Sequence, residues 1–207
     1  MPPPQRTPGP GSLGIRRLAV VPSAAFAMML AIGGTSLEGG ESLAAAKAER
    51  SVCQRAHTKP WKLSRKQARK TMVCLINRTR EDHGLRPVAR NRRLQKAAQR
   101  HNRAMHGTGC FSHACPGEED LSTRLREVGY LGGDLRRWVY AENLAWGTGY
   151  GGEPASILDA WMHSAGHRHT ILTAELRDIG VGFHVGTPAS KRARGAIFTT
   201  DFGHRVR

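Results

Sequence analysis

The chain predicts an α+β domain in which helices cover an antiparallel sheet. Helical periodicities come first, strand-like runs fall mostly late, and no β-α-β alternation runs between them. Ser64 precedes a helical stripe of Ala68, Met72, Leu75, Ile76 and Thr79 that stops at Gly84, which is a capped amphipathic helix. Asn91 opens a second helix with Leu94, Ala97, Ala98, His101, Ala104 and Met105 on one face and Gly107 beyond it. His101 falls on that apolar face and reads as a core histidine. Leu121, Leu125 and Val128 mark a short third helix ending at Gly129. Pro154 begins a fourth, with Ile157, Leu158, Trp161 and Met162 on its stripe and Gly166 as its expected end. Three strand-like runs complete the domain: Trp138–Trp146, Ile179–Val185 and Ala196–Phe202, the last two separated by a polar turn with Pro188 and Lys191.

A length of 207 residues suits one domain with an appendage. Arg6, Arg16 and Arg17 precede an apolar run from Leu18 to Leu37 that Pro22, Gly33 and Gly34 interrupt, and Ala44 and Ala46 follow in an A-x-A arrangement. This order predicts a secretory signal over residues 1–46, an N-terminal arm over 47–64 and the folded domain over 65–207. The rival reading is an uncleaved membrane anchor. Export into an oxidising compartment gives an even set of cysteines a role as disulfides. Of three possible pairings we expect Cys53 with Cys74, tethering the arm, and Cys110 with Cys115, closing a short loop around His113. A structural zinc site is disfavoured because no C-x-x-C spacing is present.

The net charge of +16 is unevenly distributed. Residues 47 to 110 carry 18 Lys or Arg against three acids, whereas residues 111 to 207 carry 11 of each. A basic half of this kind suits anionic envelope polymers or acidic lipid headgroups as partners, or is a solvated surface without a dedicated partner. No aromatic RNA-binding motif or zinc finger accompanies it, so nucleic acid is the least favoured partner.

Chemistry-bearing residues concentrate between Tyr140 and Leu172. Glu142, in the apolar setting of Ala141, Leu144 and Trp146, must be hydrogen-bonded, paired with a cation or protonated. His163 and His167 have metalloprotease spacing, but Ser164 replaces the required Glu and Gly166 interrupts the helix. His163 and His169 therefore read as exposed. Ser164 with His167 lacks a G-x-S-x-G elbow, so a serine-hydrolase reading is also disfavoured.

Four motifs in register, AENLAWG (Ala141–Gly147), W-x-x-S-x-G-H-R (Trp161–Arg168), IGVG (Ile179–Gly182) and TTDFG (Thr199–Gly203), resemble the bacterial branch of the CAP superfamily. These are relatives of the cysteine-rich secretory, antigen 5 and pathogenesis-related-1 proteins. The likeness spans about residues 65 to 203. It implies a three-layer α-β-α sandwich with a central, mostly antiparallel sheet and a cleft lined by His113, Glu142 and His167. A second cleft carboxylate of the family falls here on Ser164, which weakens any mechanism that needs two carboxylates.

In that family the cleft trio binds a divalent metal in some members, so the resemblance implies zinc as a possible cofactor held by His113, His167 and Glu142. It also implies a secreted or envelope-associated protein. Three readings of function follow: a binding module for an amphipathic ligand or anionic wall polymer, a metal-dependent hydrolase of peptide or glycan bonds, and a structural or signalling protein whose cleft is vestigial and whose trio is only a buried polar network.

Overall fold

A computed structural model of the chain describes residues 53–207. The expected export signal, its cut after Ala46 and the first residues of the arm lie outside the described residues. Two short 3₁₀ turns, Gln54–His57 and Pro60–Lys62, lead into α1 (Arg65–Asp82). The start of α1 is a capping box: the Ser64 hydroxyl accepts from the Gln67 amide at 3.2 Å, and Gln67 Oε1 accepts from the Ser64 amide at 2.9 Å. The expected disulfide Cys53–Cys74 is formed and pins the preceding turns to this helix.

The second helix, α2 (Arg92–Thr108), is capped by Asn91, whose Oδ1 accepts from the amides of Arg93 and Leu94. It runs past the expected stop at Gly107. The terminator is Gly109, which adopts a left-handed φ of 75° and donates its N–H to the Met105 carbonyl. After α3 (Leu121–Glu127) and the long strand β2 (Arg137–Thr148), the expected single fourth helix is two helices, α4 (Pro154–His163) and α5 (Ala165–Leu172). The break is at Ser164, whose extended backbone (φ −101°, ψ 120°) interrupts the helix, while Gly166 lies inside the first turn of α5.

Strands β3 (Asp178–Val185) and β4 (Gly195–Val206) complete the chain, and a two-residue strand β1 (Ala89–Arg90), too short to carry a pattern, pairs in parallel with β3. The sheet order is β1-β3-β4-β2, with antiparallel β3–β4 and β4–β2 pairs. Period-two alternation divides its faces. Ile179, Val181, Phe183, Phe198 and Phe202 join Met72, Ile76, Ile157 and Trp161 in one core beneath α1, α4 and α5. On the opposite face α2 lies against bare backbone: a Cβ at Gly180 would fall 2.0 Å from the Gln95 nitrogen, and one at Gly182 would fall 2.4 Å from the Ala98 carbonyl oxygen. The glycines of the I-G-V-G run are therefore the contact surface for a helix. The result is the α-β-α sandwich that the motifs imply.

One buried cation fixes α5. Arg80, fully buried on α1, donates to the carbonyls of Arg86, Ile171, Thr173 and Leu176. Its guanidinium thus occupies the carbonyl end of α5, where positive charge is favoured, and holds the helix that carries His167. Among the described residues no helix is long and apolar enough to cross a membrane.

Candidate functional site

The site is assembled along β2 on the α2 side of the sheet. Glu142, Leu144 and Trp146 alternate onto that face, and the disulfide-closed loop Cys110–Cys115 lies alongside them. Phe111 of the loop meets Trp146 edge to face with ring centroids 6.5 Å apart, Cys115 packs with Leu144, and His113 reaches Glu142. The staple holds one aromatic ring and one imidazole against the strand.

Glu142 is almost completely buried and fully partnered. Its Oε1 accepts from His113 Nδ1 at 2.8 Å, and Nη2 of Arg124 donates to both carboxylate oxygens, at 3.1 and 2.9 Å. The same Nη2 donates to the His113 carbonyl at 3.1 Å, so α3 secures the loop as well as the acid. Burial pushes the Glu142 carboxyl up, but the His113 bond and the Arg124 charge outweigh it and hold the group below its ordinary range. His113 moves oppositely. Its bond to Glu142 raises the imidazole pKa above the ordinary value, and the ring itself stays open to solvent.

The polar network continues inward. Glu118 accepts from His101 Nδ1 at 2.5 Å and lies 3.6 Å from Arg124 Nη1. His101, expected as a core histidine, is completely buried, and burial lowers its pKa. Across the ladder from Glu142 lies Asp201, also completely buried, whose carboxyl shares a hydrogen bond with the Glu142 carboxylate. Burial, and then the neighbouring Glu142 charge, raise the Asp201 pKa well above the carboxylate range. Glu142 keeps the charge of this pair and Asp201 keeps the proton.

His167 sits in the first turns of α5, and its carbonyl accepts from the Asn143 side chain of β2 at 3.1 Å. Its Nδ1 meets Ser164 Oγ at 2.9 Å, so the serine at the family's second carboxylate position orients the ring with a neutral partner. Burial lowers the His167 pKa, and the charge of nearby His113 lowers it further. The fold therefore joins His113 to Glu142 directly and brings His167 into their electrostatic reach. His163 and His169 are exposed, as expected.

Arg124, Glu118 and Asp201 went unrecognised in the sequence, although two of them left a signal there. Arg124 stands three residues after Leu121 and four before Val128, a charge on an apolar stripe; Asp201 is the single charge in the Ala196–Phe202 run.

The trio His113, Glu142 and His167 does not fit a three-ligand zinc site in this arrangement. Both Glu142 oxygens are already engaged, one by an imidazole and both by a guanidinium, and a metal ion there would face the Arg124 charge. Among the described residues no group of three His, Cys, Asp or Glu side chains is placed to hold a metal.

The sequence profile of the cysteine-rich secretory protein (CAP) family matches residues 73–202. The chain belongs to this family. The chain is similar to an uncharacterised protein of Bacillus subtilis, YkwD, which is 30% identical over 114 residues, covering 55% of this chain and 41% of its own. An uncharacterised B. subtilis membrane protein, YlbC, is 29% identical over 122 residues, covering 59% of this chain and 33% of its own. The chain thus spans less than half the length of either relative.

Two solved structures share the CAP fold. One is an extracellular protein containing an SCP domain from Bacillus anthracis, with TM-score 0.53, 23% identity, and coverage of 67% of this chain and 40% of that one. The other is an outer surface protein of Borrelia burgdorferi, with TM-score 0.57, 19% identity, and coverage of 70% of this chain and 97% of that one.

Proposed function

We propose that this CAP protein is a secreted or envelope-associated binding module that holds an amphipathic ligand along β2, apolar body against Phe111 and Trp146 and anionic head toward His113. The observation that carries this reading is the pair of partly exposed rings, Phe111 at 45% and Trp146 at 38% exposure, fixed on the loop and strand that also carry His113 and Glu142. Contiguous exposed apolar surface rimmed by polar groups marks ligand or partner sites, and this pair of touching rings beside His113 supports that reading here. His113, raised in pKa and open to solvent, supplies positive charge at the end of that surface.

Binding is favoured over hydrolysis because the cleft acid is neutralised. Arg124 and His113 together consume the basicity of Glu142, and Ser164 provides no second carboxylate to share acid and base roles. The extracellular and outer-surface settings named for the two structural relatives support a location outside the cytoplasm.

Calorimetric titration with palmitate, used below its aggregation threshold, tests this reading. Saturable binding that weakens about tenfold or more in Phe111→Ala/Trp146→Ala is expected, since each ring removed takes roughly 1–3 kcal/mol of burial with it. No binding to the unmodified protein, or equal binding to the double variant, rules the reading out.

A further inference from the structure

Two adjoining hollows lie where α1, α2 and the β1–β3 edge of the sheet meet. The first, about 420 Å³, is walled by Lys66, Arg69, Lys70, Arg90 and Arg92 over an apolar floor of Val73, Ile179 and Val181. The second, about 390 Å³, shares Arg69, Arg92 and Gln95 with the first and adds Lys96, Arg100 and Arg103. Among the described residues no acid lines either hollow. Arg100 alone of these cations approaches a described carboxylate, Glu127 at 3.9 Å.

Charge density of this kind is ordinarily a solvated surface, but two features mark a built site. Gln99, only 5% exposed, lines the second hollow; its Oε1 accepts from Arg69 and from the Phe183 amide, which leaves its Nε2 donor without a partner among the described residues. The Arg69 Nε is likewise buried and unpartnered. Two unsatisfied donors in one place are costly unless an acceptor arrives. The Arg69 guanidinium is also held below its ordinary pKa, by burial first and then by the charges of Arg65 and Arg103. A bound anion would relieve all three strains together.

We propose that this α1–α2 groove is a binding site for an extended chain of phosphate groups, with Arg69, Arg92 and the Gln99 amide at its centre. The shared residues make one continuous track, which suits a repeating anion better than a single small one. The predominance of arginine suits phosphate oxygens, which its planar fork engages in pairs. This inference is independent of the ligand proposed for the β2 face, because no residue is shared between the two surfaces.

The test is binding of long-chain inorganic polyphosphate to the purified protein over a range of salt concentrations. Affinity is expected to fall steeply with salt, as phosphate contacts release counterions. Gln99→Glu keeps an acceptor for Arg69 and Phe183 while removing the free donor and adding a negative charge, so it should weaken binding about tenfold or more without lowering the melting temperature. Arg92→Gln/Arg100→Gln should do the same.

The charge-matched control Lys191→Gln/Arg192→Gln, on the exposed β3–β4 turn, should leave affinity within about twofold. Equal losses in the two double variants would reduce the effect to net charge and overturn the site. So would full binding by Gln99→Glu. Binding of a DNA duplex with none of polyphosphate, at equal phosphate concentration, would replace the proposal with a nucleic-acid surface.

Discussion

Arg124 donates through a single nitrogen to both carboxylate oxygens of Glu142, at 3.1 and 2.9 Å, with both side chains almost fully withdrawn from water. The contact joins α3 to the centre of β2 and fixes the charge state of the cleft.

Removing the cation alone is expected to be costly. Arg124→Ala leaves the Glu142 charge buried beside a single imidazole and should destabilise the protein by about 3–5 kcal/mol. Replacing both partners, Arg124→Leu with Glu142→Leu, should cost clearly less, because no unpaired charge remains. Urea unfolding of the three proteins measures the difference; a single variant no less stable than the double one would show that the pair does not carry the acid's burial.

The histidines should titrate in opposite directions from an ordinary value of about 6.5. The Glu142 bond raises His113, so its stabilising contribution is complete below the unfolded value and is lost as pH rises through the higher folded one. Burial lowers His101 and His167, so what they contribute in neutral form is lost as pH falls below the unfolded value toward their folded ones. Imidazole resonances followed by NMR should place His113 above His167, and Glu142→Gln should bring His113 down. The reverse order would contradict the hydrogen bond.

Reduction should act unequally on the two disulfides. Cys53–Cys74 spans 21 residues and Cys110–Cys115 spans five, so chain-entropy arguments assign roughly 3 and roughly 2 kcal/mol to them. Cys53→Ser/Cys74→Ser should therefore lower the denaturant midpoint more than Cys110→Ser/Cys115→Ser. The second pair of substitutions should instead release Phe111 and His113, seen as a downward shift of the His113 pKa. An unaltered His113 titration in that variant would mean the staple does not position the ring.

Local chemistry was enough to read most of the fold. Ser64 and Asn91 are caps whose hydrogen bonds are made within a few residues, and glycines alternate with bulky apolar residues from Ile179 to Phe183 because a strand has two faces. Both disulfide pairings were readable from loop length and compartment. The α4–α5 break was misplaced by two residues, because an extended Ser164 costs nothing that its identity announces, whereas Gly166 carries a helix-breaker's reputation into a first turn that tolerates it.

By itself the sequence determined most of the element types, and its four motifs carried the family resemblance, which in turn implies the residues His113, Glu142 and His167. Only the tertiary structure decided what those residues are to one another. Arg124 comes from a third helix to neutralise Glu142, Asp201 takes the proton from across the sheet, and Ser164 replaces an acid as the partner of His167. The physical reason is that a charge state is set by burial and by the groups within a few ångströms, and those neighbours are chosen by strand pairing and helix packing rather than by distance along the backbone.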